Sequence, residues 1–166
     1  IKETINENEE EEEEEEPEDR IEIYGPKSVE ERYEDLEFEI NRIKEGKTVK
    51  LEDLEVTAYE IKCPEAKECY AYLIKKGEIA ILHTANSHDF SQKLRNLRQQ
   101  IDYCFISTIE EFFPYYLDYL NEVYPKFTFP YQFVPGKEEK AKKFAKYLEE
   151  NGIDSKFIEI GKEFEF

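Results

Sequence analysis

The sequence predicts an α/β domain in which a mixed β-sheet has helices packed on one of its faces. Two observations lead to this fold class. Between residues 47 and 84, four strand-like segments follow one another with short turns between them, and between residues 90 and 160 a helical pattern precedes a strand-like segment three times. Consecutive strands form hairpins, whereas strands that each follow a helix are typical of βαβ units, so one mixed sheet accounts for both halves.

The first predicted elements are a strand, a turn and a helix. The phrase RIEIYGP, residues 20–26, alternates polar and apolar side chains before it reaches Gly25 and Pro26, which indicates a short strand that ends in a turn. Ser28 with Glu31 has the pattern of a capping box. Apolar side chains then recur at helical spacing before Gly46, and we expect an amphipathic helix there: Val29, Tyr33, Leu36, Ile40 and Ile43.

Two hairpins are predicted next. The segments KTVKL and LEVTAYEI are separated by a turn around Glu52 and Asp53. The segment CYAYLIKKGEIAILHT forms a second hairpin that turns at Lys76 and Gly77.

Three helix–strand pairs complete the predicted domain, with strands at residues 103–107, 127–133 and 153–160. Thr108 with Glu111 should start the second helix, Pro114 should kink it or delay its start, and Gly152 should end the third. The apolar positions of the three helices are Phe90, Leu94, Leu97 and Ile101, then Ile109, Phe112, Phe113, Tyr116, Leu120 and Val123, then Ala141, Phe144, Ala145 and Leu148.

The charge divides the chain into an acidic tail, residues 1–19, and a domain, residues 20–166. The formal net charge is -18, and residues 1–20 hold twelve acidic residues against Lys2 and Arg20, which leaves -8 on the remaining residues. The run of glutamates at residues 9–16 favours a solvated linker over a segment that binds a basic partner or a metal ion diffusely. A domain of charge -8 repels phosphate backbones, so nucleic acid is not an expected partner.

The expected location is the cytoplasm. No run of apolar residues reaches the length of about 20 that a membrane span requires. Three cysteines are an odd number without a disulfide-framework pattern, so Cys63 and Cys69 are expected to be unpaired and reduced, although a disulfide or a metal between them is an alternative. The first residue is Ile rather than Met, which favours a processed chain or one that begins partway into a longer protein.

Two groups of side chains are candidates for function. His83, His88 and Asp89, with Cys63, are candidate ligands of a metal site, but we favour a strand-end role for His83 and a loop role for His88 and Asp89. Half of the aromatic residues between positions 112 and 133 should belong to the core. The outward members form a candidate interaction surface that consists of Tyr115, Tyr119 and Tyr131.

Several phrases, taken in order, resemble the C-terminal half of the metallo-β-lactamase superfamily over residues 20–166. They are IYGP before a helix, GKTVKLEDLEVTAYEI leading into CYAYLIKKGEIAILHTANS, IDYCFIST, and PKFTFPYQF followed by a helix and GIDSKFIEIGKEFEF. The resemblance implies half of an α/β sandwich. In that family the first half supplies a His-rich metal-binding motif, and nothing in this sequence matches it. The second half supplies a His, an Asp and a His, whose positions here are Cys63, Asn86 and Gln132.

The residues at these three positions argue against a hydrolytic metal centre. A metallohydrolase uses imidazoles and an anionic carboxylate to hold zinc or iron and to lower the pKa of a bound water. The amides of Asn86 and Gln132 are neutral oxygen donors, and a lone Cys63 thiolate beside two amides competes poorly for zinc.

Three hypotheses follow from this substitution pattern. The first is a catalytically degenerate metallo-β-lactamase-fold protein without a cofactor that acts through protein contacts, as a partner or a regulatory or structural relative of an active hydrolase. The second is part of a metal-dependent hydrolase, with zinc, iron or manganese, whose N-terminal half lies upstream or on another chain. The third is a structural subunit that self-associates, because a half sandwich exposes one sheet face that a second copy or an upstream domain would cover.

Overall fold

A mixed seven-stranded β-sheet forms the centre of the computed structural model, which describes residues 22–33, 40–63 and 66–163. The strands are β1 (Ile23–Gly25), β2 (Ile40–Arg42), β3 (Thr48–Leu51), β4 (Leu54–Lys62), β5 (Cys69–Lys76), β6 (Ile79–His83), β7 (Asp89–Phe90), β8 (Tyr103–Ser107) and β9 (Phe127–Tyr131). The helices are α1 (Lys27–Arg32), α2 (Gln92–Arg95), α3 (Phe113–Val123) and α4 (Glu139–Glu150), and a 3-10 turn at Glu110–Phe112 precedes α3.

The sheet order confirms the predicted mixed topology. The order is β3-β4-β5-β6-β8-β9, with β7 paired to the end of β4, and β1 and β2 form a separate parallel pair. The pairs β3–β4, β4–β5 and β5–β6 are antiparallel, whereas the pairs β6–β8 and β8–β9 are parallel. The four consecutive strands and both hairpin turns are therefore confirmed, and Glu52 and Gly77 take the positive φ values of 52° and 58° that tight turns require.

The core lies between one face of this sheet and helices α3 and α4. Leu73, Leu82 and Cys104 are paired across β5, β6 and β8, so their side chains share one face, and all three are buried. Helix side chains pack on them in one cluster, and the Phe113 and Phe144 rings stack with their centroids 4.1 Å apart. The fold class predicted from the sequence, a mixed sheet with helices packed on one face, is therefore confirmed.

The prediction of a long first helix is wrong, because only the six-residue helix α1 forms in the described part of that segment. Helix α1 begins directly after Pro26, has no side-chain cap, and ends at Arg32, while the Ser28 amide donates to the Glu68 carboxylate. Ile40 lies in β2 and pairs with Ile23 in β1. The spacing of Ile40 and Ile43 fits a helix and a strand edge equally well, and the long-range pairing with β1 decides between them. Leu36 lies outside the described residues.

Two further predicted elements are shorter than expected. Phe90 is in β7, paired with Ile61, and only one helical turn follows, at Gln92–Arg95, capped by the Ser91 hydroxyl. The predicted strand at 153–160 is reduced to a single bridge between Thr128 and Ser155. Short-range spacing identified buried side chains in both stretches, but it did not identify their backbone conformation.

The start of α3 also differs from the predicted capping box. Thr108 donates its hydroxyl to the Gln132 carbonyl oxygen instead of capping the helix. Helix α3 begins at Phe113 with Pro114 in its first turn, which confirms the expected delay, since proline is tolerated only there. Gly152, at φ 80°, follows the end of α4 as predicted. Across the described part of the chain, no helix combines the length and the apolar character that crossing a membrane requires.

Candidate functional site

A cleft opens at the carboxyl ends of the parallel strands β6, β8 and β9. In a parallel sheet these ends meet at one edge, which is the usual position for a ligand site. Asn86 follows β6, Thr108 follows β8 and Gln132 follows β9. A cavity of about 250 Å³ at this edge is lined by Asn86, Ser107, Thr108, Ile109, Glu110, Gln132 and Lys140. A second cavity of about 310 Å³ shares several of these residues and is lined by Thr108, Gln132, Phe133, Val134, Lys137 and Lys140.

Gln132 organises the hydrogen bonds of this cleft. The buried Ser107 hydroxyl donates to Gln132 Oε1 at 2.8 Å, and the buried Thr108 hydroxyl donates to the Gln132 backbone oxygen at 3.3 Å. The Oδ1 atom of Asn86 is buried, and no described residue donates a hydrogen bond to it. The cleft therefore presents amides and hydroxyls where a metallohydrolase would need imidazoles and carboxylates.

The backbone is strained at two points beside the cleft. Ala85, in the turn before Asn86, has a φ of 47°, and Gln132 itself has a φ of 68°. Side chains other than glycine rarely adopt this left-handed region, and such strain often concentrates at functional sites. Gln132 lines the cleft itself, and Ala85 directly precedes Asn86, which lines it too.

Cys63 is not part of this cleft, and the prediction that it is a free thiol is wrong. Its sulphur lies 2.06 Å from that of Cys69, a disulfide between the end of β4 and the start of β5. The antiparallel pairing of β4 with β5 brings the two residues together, with their Cα atoms 6.1 Å apart. A disulfide sulphur is not a thiolate ligand, and the bond also removes the cysteine argument for a reducing compartment, so the cytoplasmic location stays a prediction.

His83, His88 and Asp89 do not converge on one point. The His83 ring packs 4.6 Å from the Tyr131 ring, and its Nδ1 accepts a hydrogen bond from the Ala85 amide. Burial lowers the pKa of His83 below its usual value. The His88 ring stacks on Phe112 at 5.4 Å.

Asp89 is occupied by two other side chains. The Lys62 ammonium donates to its carboxylate at 2.6 Å and the Tyr115 hydroxyl at 2.9 Å. The Lys62 hydrogen bond is the main cause that lowers the pKa of Asp89, although burial opposes it. Within the described ranges, no group of three or more His, Cys, Asp and Glu residues is placed to hold a metal ion.

The predicted aromatic interaction surface is wrong in one of its three members. Tyr119 is completely buried, and its ring stacks 3.8 Å from that of Phe90. Tyr115 is half-buried, with its ring 4.9 Å from the Arg95 guanidinium carbon. Tyr131 is also partly buried, and burial raises the pKa of its hydroxyl. Only parts of Tyr115 and Tyr131 are therefore open to a partner.

Sequence reasoning did not select several polar residues of the cleft, among them Ser107, Thr108, Lys137 and Lys140. Ser107 ends and Thr108 follows a strand that the sequence predicted correctly, so the rule that ligands bind at the carboxyl ends of parallel strands would have selected them. Lys140 lies at the start of α4, among lysines and glutamates that resemble an ordinary solvated face. Nothing in its sequence context distinguishes it from Lys142 or Lys143.

The comparisons with known proteins support the fold and little more. No family sequence profile matches the chain, and no curated protein sequence is significantly similar to it. The metallo-β-lactamase fold protein YhfI from Bacillus subtilis superposes with a TM-score of 0.61 at 12% identity, over 86% of this chain and 64% of YhfI. CmlA, a diiron β-hydroxylase from Streptomyces venezuelae, gives 0.55 at 13% identity, over 74% of this chain and 34% of CmlA. A variant of the CmlA β-hydroxylase gives 0.59 at 14% identity, over 74% of this chain and 33% of that chain.

These superpositions confirm the resemblance at the level of architecture. The chain has the metallo-β-lactamase fold, and it spans less than two thirds of the structures it matches. Identities of 12–14% carry no site chemistry from those proteins to this one.

The residues at the strand ends do not fit the metal that the resemblance implies. Cys63 is oxidised, Asn86 and Gln132 supply neutral oxygens, and Gln132 Oε1 already accepts from Ser107. Neutral amide oxygens do not offset the charge of a zinc or iron ion. Glu110, the carboxylate that lines the first cavity, is instead paired with Lys143.

Proposed function

We propose that this protein is a metallo-β-lactamase-fold protein without hydrolytic activity of its own, which acts through contacts as a partner or a regulatory or structural relative of an active hydrolase. The observation that supports this most is the donor set at the strand ends. Asn86 and Gln132 line one cavity as amides, and the Gln132 oxygen is held by the Ser107 hydroxyl. Cys63, the third position, is bound to Cys69.

Chemically, such a cleft cannot lower the pKa of water as a metal centre does. Activation needs a cation held by ligands that leave a coordination position open. The hydroxyls of Ser107 and Thr108 both donate to Gln132, and no described histidine lines the cavity to accept a proton from either. Among the described residues that line this cavity, neither hydroxyl is therefore paired with a histidine base.

Metal analysis of the full chain tests the proposal. Protein purified without added metal should contain zinc, iron and manganese far below one equivalent per chain, and added zinc should bind weakly in calorimetry. The matched variant Asn86→Asp/Gln132→His keeps the disulfide but restores two ligand types, and it should bind zinc more tightly than the wild type. Stoichiometric metal in the wild type would overturn the proposal, and equal zinc affinity of the two proteins would remove its geometric basis.

The second candidate function is part of a metal-dependent hydrolase that another polypeptide completes. The observation that favours it is coverage, because the chain spans 64% of YhfI and about a third of CmlA. In that case Asn86 and Gln132 would border a zinc, iron or manganese ion whose ligands come from the other polypeptide. Stoichiometric metal in a natively purified complex, but not in this chain alone, would favour this candidate.

We also propose that the sheet face opposite the helices is where a partner packs. Tyr72, His83 and Phe105 occupy one row across β5, β6 and β8 on that face, and Ile74 and Ile81 lie beside them. All five are only partly buried. Partly exposed apolar side chains on one sheet face favour a second copy or an adjoining domain as the partner. Sedimentation of the isolated chain as a monomer at all concentrations would leave only the adjoining domain.

A further inference from the structure

The larger of the two cavities at the strand ends carries positive charge and has no carboxylate among its lining residues. Lys140 lines both cavities and Lys137 lines the larger one. Glu110 lines only the smaller cavity, where it is paired with Lys143 from α4 and also attracts Lys140. Neither Lys137 nor Lys140 forms an ion pair with a residue in the described part of the chain. We infer that this cleft is a metal-free pocket for a small organic oxyanion, either a carboxylate or a phosphate ester.

The local charge is opposite to that of the whole molecule. The formal net charge of the chain is -18. A surface of that sign repels anions at long range, so two ammonium groups beside a cavity are a local feature rather than part of a general basic field. Lysine is a common ligand for anions because its three N–H donors point in several directions.

The amide of Gln132 adds a donor of fixed direction. Because the Ser107 hydroxyl donates to Oε1 at 2.8 Å, the Nε2 group is left to donate, and no described residue accepts from it. The Thr108 hydroxyl also donates a hydrogen bond to the backbone carbonyl oxygen of Gln132, which holds the Gln132 backbone in place. Lone pairs on the two hydroxyl oxygens can accept a hydrogen bond from a hydroxyl or amine of the ligand.

The backbone is conformationally strained at this edge of the sheet, where the strands end. Four non-glycine residues of the described ranges have positive φ. Glu52 lies in a hairpin turn and Tyr124 ends α3 in the left-handed conformation, so ordinary turn and cap geometry explains these two. The other two, Ala85 and Gln132, border the cleft. Strain at these positions is what a pre-organised binding site would require.

The size and walls of the cleft limit the ligand. Cavities of about 250 and 310 Å³ that share Thr108, Gln132 and Lys140 suit a molecule of metabolite size. Ile109, Phe133 and Val134 supply apolar wall, which suits a carbon skeleton better than an inorganic ion. The inference depends on the proposed function in one respect, since it takes the cleft to be free of metal.

Titration of the full chain in the presence of a chelator tests the pocket. The probes are glycerol 3-phosphate, glycerate and uncharged glycerol. Binding of each probe is measured by calorimetry and by changes in the amide chemical shifts. At least one of the two anions should bind saturably, with shifts at Ser107, Thr108 and Gln132, and glycerol should not. Preference for the phosphate ester or for the carboxylate identifies which oxyanion the pocket takes.

Two lysine variants on the same helix provide the matched comparison. Lys140→Gln should lower the affinity for the anion by roughly tenfold, which is the contribution of one charge-assisted hydrogen bond. Lys146→Gln changes the net charge equally, but Lys146 does not line either cavity and pairs with Glu150, so its effect should stay below about twofold.

Three outcomes would overturn the pocket, and they separate it from the proposed function. If neither anion binds while the protein is free of metal, or if both lysine variants lose affinity equally, the pocket is wrong and the proposed function stands. If an anion binds only after zinc is added, both are wrong, because the cleft would then hold a metal.

Discussion

Replacing both cysteines of the disulfide, in the variant Cys63→Ser/Cys69→Ser, should destabilise the domain by a predictable amount. The bond joins residues separated by 6 positions, between the end of β4 and the start of β5. In the chain-entropy description, a loop of this size stabilises the fold by about 2.4 kcal/mol at 25 °C through its effect on the unfolded chain. For a domain of this length that free energy corresponds to a decrease in Tm of roughly 5–10 °C.

Urea unfolding followed by circular dichroism measures this change. Reductant should shift the wild-type midpoint to that of the double variant and leave the variant unchanged, which is the internal control. Thiol titration of denatured, unreduced wild type should detect only Cys104, the buried free cysteine. An identical midpoint for variant and oxidised wild type, or three reactive thiols before reduction, would refute the disulfide and return Cys63 to the list of possible metal ligands.

The remaining predictions concern side chains around α3 and β6. Tyr116→Phe should lower the free energy of unfolding by about 1 kcal/mol because the Tyr116 hydroxyl donates to the Ser87 carbonyl at 2.7 Å. Tyr119→Phe should be neutral or stabilising, since the Tyr119 hydroxyl is buried without a described partner, so a larger loss in urea unfolding for Tyr119→Phe would contradict this contrast. Burial lowers the pKa of His83, so the folded protein favours the neutral ring, and the resulting stability is complete above about pH 6.5 and is lost as the pH falls. His83→Gln should therefore flatten the unfolding free energy between about pH 7 and pH 5, and an unchanged slope would exclude His83 as its source.

The central sheet was predictable because its signals are local. The hairpin between β5 and β6 turns at Gly77, where a positive φ is needed, and the strand Tyr103–Ser107 has the bounds that its apolar run indicates. Helix α4 has apolar residues at every third or fourth position and ends before Gly152. In these segments the residues that favour an element also face the core, so local and tertiary preferences agree.

The first and last elements were not predictable from spacing because distant segments decide them. Ile40 is a strand residue only because Ile23 lies beside it in a parallel pair. Residues after Gly152 pass β9 with one bridge at Ser155, where the sequence alone resembles a full strand. A pattern of apolar residues reports burial, but the hydrogen-bond partner that defines a strand is a long-range property.

The assignment of Asn86 and Gln132 to former metal-ligand positions stays a prediction, but their places after two strands were enough to bring them together. Asn86 and Gln132 do line one cavity, as expected from residues that follow adjacent strands. Cys63 was misjudged because a pair of cysteines six positions apart is equally consistent with a loop and with a hairpin, and the β4–β5 register decides it. Tyr119 was predicted to face outward, although it lies one helical turn after Tyr116, which is buried. In the structure the Tyr119 ring is also buried and stacks on Phe90.

The hydrogen bonds of Gln132 also bear on whether this amide merely replaces a lost metal ligand or has a structural role of its own. Its side chain accepts from Ser107 and its carbonyl accepts from Thr108, and both hydroxyls are buried. A histidine at this position, whose ring nitrogen would be directed at a metal, would leave the Ser107 hydroxyl without its acceptor at a cost of about 1–3 kcal/mol. A histidine at position 132 would therefore gain a metal ligand at a cost in folding stability unless position 107 changed as well, so the strand ends are organised around the amide. The two buried hydroxyls keep their acceptors only in this arrangement, which favours a cleft built around the Gln132 amide.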